Sequence, residues 1–139
     1  MDDKIIKKDS SPKILVVEDN KDNRELVIKV LRCNGYQTIE AVDGQEAIEK
    51  TRSEKPDLIL MDIYIPKIDG YETTKRLKGD NDLKNIPVIA LTAHAMKGDM
   101  EDALSAGCDG YISKPIDVRE LPKQIKNFLK SKIQSINAG

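Results

Sequence analysis

Aromatic side chains are scarce in this chain of 139 residues: it has no tryptophan, one phenylalanine and four tyrosines. A flavin site walled by aromatic rings is therefore poorly supplied. Histidine is scarcer still, with His94 the single one, so no histidine-based metal site or relay can be assembled within one chain. The two cysteines, Cys33 and Cys108, lie far apart and form no CxxC pair. That pattern points to buried free thiols in a reducing cytoplasm rather than to a disulfide or a metal site. Neither sign of charge predominates: 23 Lys and Arg stand against 24 Asp and Glu, a net charge of −1. There is no global basic field to attract nucleic acid. No apolar run approaches the roughly 20 residues that span a bilayer. Residues 1–12 are charged and lack the apolar segment of a secretory signal. The expectation is a cytoplasmic protein with neither a membrane nor a nucleic-acid partner.

What the chain does contain is a series of short apolar runs, each closed by a polar residue. Ile14-Leu15-Val16-Val17 is closed by Glu18-Asp19, and Asp57-Leu58-Ile59-Leu60-Met61 by Asp62. Val88-Ile89-Ala90-Leu91 is closed by Thr92, and Tyr111-Ile112-Ser113 by Lys114. Each run is too short for a helix and reads as a strand of a parallel sheet, buried on both faces. Gln37-Thr38-Ile39-Glu40-Ala41 is a weaker strand. Between the runs lie helical patterns over residues 22–34, 44–53, 71–78 and 99–106. In the first, Leu26, Val27, Val30 and Leu31 recur at helical spacing, and Gly35 takes the favoured stop position. A last helix starts near Asp117 or a little later, with Asp117 and Glu120 spaced as a capping box and Pro122 arguing for the later start. Its apolar face is Leu121, Ile125, Phe128 and Leu129, and Lys123, Lys126, Lys130 and Lys132 give it a solvated polar side. The alternation predicts one α/β domain over residues 13–131, flanked by flexible segments at 1–12 and 132–139.

Parallel strands of one sheet have their carboxyl ends on a common edge, and that edge is where open α/β sheets bind ligands. Glu18, Asp19, Asp62, Thr92 and Lys114 are therefore expected to meet there. Any one of them is an ordinary strand-end polar residue; the five together call for a chemical reason. Two carboxylates about 4 Å apart repel by roughly 4 kcal/mol at an effective dielectric near 20, so three resist ionising together. A hard divalent cation such as magnesium relieves this, accepting a few carboxylates with water and phosphate oxygens. Three carboxylates, one ammonium and one divalent cation also balance in charge. Such a set suits phosphoryl transfer. A carboxylate can accept the group as an acyl phosphate, a cation and an ammonium neutralise it, and a hydroxyl donates to it. Asp62 is the expected nucleophile.

These blocks resemble the receiver domain of two-component response regulators, the CheY-like family. The resemblance rests on Ile14-Leu15-Val16-Val17-Glu18-Asp19-Asn20, Leu58-Ile59-Leu60-Met61-Asp62-Ile63, Pro66 with Asp69-Gly70, Leu91-Thr92-Ala93, and Gly110-Tyr111-Ile112-Ser113-Lys114-Pro115. It spans residues 13–129, with the stretch 92–116 closest to stand-alone regulators of the DivK type and to receivers of hybrid kinases. It implies a doubly wound five-stranded parallel sheet, order 2-1-3-4-5, flanked by five helices. It makes Asp62 the phosphoacceptor, with the carboxylates of Glu18 (through a water), Asp19 and Asp62 and the backbone carbonyl of Tyr64 around Mg2+. Lys114 becomes the phosphoryl contact, joined to Pro115 by a cis peptide, and Thr92 with Tyr111 the switch pair. The ring would then reshape the face made by the fourth helix, fifth strand and last helix. Tyr64 is expected either to shield the acyl phosphate from water or merely to supply its carbonyl, and His94 to lie near the mouth of the site.

Rival chemistries fit less well. A flavin carrier wants a Ser/Thr/Gly-rich loop after the first strand, where this chain places Glu18-Asp19. A phosphatase with an aspartyl nucleophile wants a second acid two residues on, where Tyr64 stands. A transcription factor would need a DNA-binding module beyond Leu129. The expectation is a single-domain response regulator that turns over no external metabolite. A sensor histidine kinase or a histidine phosphotransfer protein would supply the phosphoryl group, and a downstream protein would read the result from a monomer or weak dimer. The alternatives are a phosphorylation-independent docking module and a relay receiver that passes phosphate to another histidine.

Overall fold

Alternation at a period of two decides which side of the sheet each strand residue faces. In the computed structural model, which describes residues 11–92 and 97–138, five strands and five helices follow one another in strict alternation. They are β1 (Lys13–Val17), α1 (Lys21–Cys33), β2 (Gln37–Ala41), α2 (Gly44–Glu54), β3 (Leu58–Asp62), α3 (Gly70–Lys78), β4 (Val88–Thr92), α4 (Lys97–Ala106), β5 (Gly110–Ser113) and α5 (Leu121–Ala138). The sheet is parallel throughout in the order β2-β1-β3-β4-β5. Leu15, Val17, Ile59, Met61 and Ala90 face one side and pack with Ala47 of α2, Leu77 of α3 and Ala103 of α4. Ile14, Val16, Leu58, Leu60, Ile89 and Leu91 face the other and pack with Val27 and Leu31 of α1 and Leu121 and Ile125 of α5. The continuous burial of β3 and β4 is what a strand covered on both faces requires.

Local sequence sets the helix ends. The side chains of Asn20, Asp43 and Asp69 accept the N–H groups of Asn23, Glu46 and Glu72, satisfying one free donor at the start of α1, α2 and α3. After α1, Gly35 adopts φ +88°, and the N–H groups of Gly35 and Tyr36 donate to Arg32 and Leu31 carbonyls. This is a Schellman stop.

Two expectations need correction, and a third is narrowed. The last helix begins at Leu121, the later of the starts expected. The Asp117 carboxylate instead caps a separate turn, accepting the N–H groups of Arg119 and Glu120, and Pro122 falls in the first helical turn, where its missing N–H does no harm. The same helix runs to Ala138, past the boundary expected at 131; no Pro or Gly interrupts 123–138. Cys108 is buried as expected, but Cys33 is exposed, because the packed side of α1 is carried by Val27, Ile28 and Leu31. Residues 1–10 and His94 lie outside the described residues.

Candidate functional site

Register brings the strand ends level. Val17 lies beside Met61 and Ala41, Asp62 beside Leu91, and Thr92 beside Ser113. Asp62, Glu18 and Thr92 are buried, at 5%, 2% and 3% exposure, and Asp19 is exposed. One carboxylate oxygen from each of Glu18, Asp19 and Asp62 lies within 4.8 Å of the others. Lys114 reaches over from the end of β5, its Nζ 2.8 Å from Glu18 Oε1 and 3.1 Å from Asp62 Oδ2. The second oxygen of Asp62 accepts the backbone N–H of Tyr64 at 3.1 Å. The five strand-end residues singled out in the sequence thus lie along one edge of the sheet, and four of them form one connected cluster.

Close approach behind Asp62 depends on Gly70. Its N–H donates to the Ile63 carbonyl at 2.9 Å, and a Cβ placed there would lie 2.7 Å from both the Asp62 carbonyl and Ile63 Cα. The amino end of α3 can therefore sit directly under the end of β3. On the other flank, the Lys114 N–H donates to the Thr92 carbonyl at 2.7 Å, tying the ends of β4 and β5 together. The Lys114-Pro115 peptide is cis. Tyr111 is half-buried against the cluster that includes Ala90 and Ala103, while Tyr64 is 60% exposed.

Electrostatics follow from crowding. Burial raises the Glu18 carboxyl, the neighbouring Asp62 carboxyl adds to this, and Lys114 only partly offsets it; the result is up to about 7. Burial alone would lower the Lys114 ammonium, but its hydrogen bonds and charge interactions with Glu18 and Asp62 raise it instead. One ammonium against three carboxylates leaves the cluster short of positive charge. Converging hard oxygen donors with unbalanced negative charge fit a divalent cation such as magnesium. One residue was not singled out in the sequence: Arg24 of α1, whose guanidinium touches the backbone of Glu18 and Asp19. Its only sequence signal is a lone Arg in the first two turns after the acidic pair.

Residues 14–126 match the family described as response regulator receiver domain. The polar-differentiation response regulator DivK of Brucella anthropi is 48% identical over 116 residues, covering 84% of this chain and 94% of that protein. Among solved structures, the receiver domain of a Pseudomonas aeruginosa sensor histidine kinase, described with a magnesium ion coordinated in its active site cleft, is 35% identical. It aligns with TM-score 0.81 over 87% of this chain and 99% of its own. The chemotaxis response regulator CheY4 of Vibrio cholerae is 27% identical, with TM-score 0.81 over 85% and 98% of the two chains. The chain belongs to the response regulator receiver domain family, with a CheY-like fold, and its setting is two-component signalling.

Proposed function

We propose that this receiver accepts a phosphoryl group on Asp62 from a phosphohistidine, carried by a sensor histidine kinase or a histidine phosphotransfer protein. The observation that carries the reading is the Lys114 ammonium held between Glu18 and Asp62, with Asp19 alongside. An Asp62 carboxylate oxygen attacks phosphorus, the P–N bond to the donor imidazole breaks, and its electron pair leaves with the imidazole. The Tyr64 N–H holds the Asp62 carboxylate in place. Lys114 donates to the oxygens of the transferred group, and Thr92 offers its hydroxyl to the same oxygens. The carboxylates of Glu18, Asp19 and Asp62, with the backbone carbonyl of Tyr64, would hold magnesium, which supplies charge neutralisation for the phosphoryl oxygens when bound. The signal is then a shift between two states of the face formed by α4, β5 and α5, read by another protein. Among the described residues no helix is long and apolar enough to cross a membrane.

The test is intact-mass spectrometry after incubation with acetyl phosphate, with and without magnesium, on the wild type and Asp62→Asn. One added phosphoryl group that requires both magnesium and Asp62 is the expected result. No adduct together with no magnesium binding would overturn it in favour of a docking module that works without phosphorylation.

A further inference from the structure

The acidic pair is held through its backbone as well as presented through its side chains. Arg24 Nη1 donates to the Glu18 carbonyl at 2.9 Å and, at the outer limit of a hydrogen bond, to the Asp19 carbonyl at 3.5 Å. Its Nε donates to Glu40 Oε1 at 2.8 Å, across to β2. The Glu18 N–H donates to the carbonyl of Ala41, the next residue of β2, at 3.0 Å. Residue 18 is therefore gripped at both its N–H and its C=O, and both grips lead to the carboxyl end of β2. That end is itself tied to α2, since Lys50 donates to the Glu40 carbonyl and the Val42 N–H donates to the Glu46 carboxylate.

An exposed Arg–Glu pair ordinarily contributes about 0–1 kcal/mol and affects nothing nearby. Arg24 differs on two counts. Its side chain is only 13% exposed although it sits on a surface helix, and its planar fork is divided between a carboxylate and backbone carbonyls, an arrangement that lysine cannot reproduce. The pair of residues whose backbone it fixes supplies two of the three clustered carboxylates.

We propose that Arg24, oriented by Glu40, is a positioning residue for the divalent-cation site: its guanidinium fixes the Glu18-Asp19 backbone and thereby the spacing of the carboxylates. The inference rests on the reading of the acidic cluster as a magnesium site. Arg24 touches neither the cation nor the phosphoryl group, and acts only through the loop.

The experiment is a calorimetric titration of the full chain with magnesium, well below the unfolding transition. It compares the wild type, Arg24→Met, Arg24→Lys, Glu40→Gln and the Arg24→Met/Glu40→Gln double variant. Arg24→Met binds about 10-fold more weakly, the lower end of what loss of an outer-shell partner costs a metal site. Arg24→Lys does not restore binding, because the charge returns without the fork. Glu40→Gln weakens binding about threefold, and that effect disappears in the Arg24→Met background, as expected for residues acting in series. Urea unfolding of the same proteins without magnesium separates the roles: a merely structural arginine moves the unfolding midpoint and leaves the affinity of the folded protein unaltered. If Arg24→Met does not fold, Glu40→Gln carries the same test. Magnesium uptake by the wild type with unaltered uptake by the variants overturns this inference alone. No uptake by the wild type overturns the reading of the site, and this inference with it.

Discussion

Of the three clustered carboxylates, Asp19 is the one water reaches, and that makes it the clean probe of the site. Its neutralisation removes a donor without opening a cavity or stranding a buried group, so Asp19→Asn should leave metal-free stability within about 0.5 kcal/mol of the wild type. If the cluster holds magnesium, the wild type at about 100 times its dissociation constant gains about 2.7 kcal/mol by linkage. Asp19→Asn should lose nearly all of that gain. Urea unfolding with and without magnesium measures both quantities, and an equal gain in the variant would remove Asp19 from the site. Tyr64 permits a second test. Its N–H is committed to Asp62 while the residue as a whole is largely exposed to solvent. Truncation to Ala keeps the backbone donor and removes the ring, so any effect belongs to the ring alone. If the ring limits the approach of water to the acyl phosphate, Tyr64→Ala shortens the phosphoryl lifetime about threefold, near 0.65 kcal/mol of barrier. An unchanged decay by intact mass would leave Tyr64 with its backbone role only.

At the scale of elements, the caps and close approaches that set the site are ordinary local chemistry with measurable cost. Asp43 caps α2, and the Glu46 N–H holds its carboxyl below the ordinary value of 3.8. Burial opposes this, and Lys67, 3.4 Å away, adds to it. A depressed carboxylate contributes stability that is full above its unfolded value and is lost as pH falls through the folded one. Asp43→Ala should therefore cost about 1 kcal/mol at neutral pH, and the gap to the wild type should narrow in unfolding at about pH 3. A gap that does not move with pH would mean the cap works without its charge. Gly70→Ala should cost about 1–3 kcal/mol by overpacking, since its Cβ meets backbone at 2.7 Å and no flexible side chain can yield. Of these features, the stop at Gly35 is written in short-range sequence, whereas the caps at Asn20 and Asp69 emerge only with the structure. The four strands that end at the site were legible too, because a buried parallel strand is a contiguous apolar run. The start of α5 was legible only in part: Pro122 argues for a start later than Asp117, while Asp117 and Glu120 have capping-box spacing but close a turn of their own. Arg24 was not legible: its role depends on β2 lying beside β1, and spacing along one helix carries no information about a neighbour in space.

For the whole molecule, the question is which part gives way when the site changes. The helices on the two faces of the sheet are unequally anchored. On one, α1 buries Val27, Ile28 and Leu31, and α5 buries Leu121 and Ile125. Each fully buried large aliphatic side chain contributes about 1.5–3 kcal/mol. On the other, the described side chains of α4 bury only Ala103 and Ala106, while Leu104 stays 57% exposed. A buried methyl is worth about 0.8 kcal/mol, so by its fully buried described side chains α4 is held more weakly than α1. It also packs near the β4–β5 edge. Thr92 ends β4, Ala90 pairs with Tyr111 across to β5, and Tyr111 shares a cluster with Ala103. On the proposed reading, a change at Thr92 would reach α4 by way of Ala90, Tyr111 and Ala103, and α4 is a cheaper helix to move than α1. Elements of low local stability are the ones that respond to a ligand. We expect hydrogen exchange after treatment with acetyl phosphate and magnesium to change in β4, β5 and α4 and to remain as before in α1. Asp62→Asn should show no such change. Protection altered equally in α1 and α4 would mean that the whole domain loosens, and the α4-β5-α5 face would lose its claim as the readout.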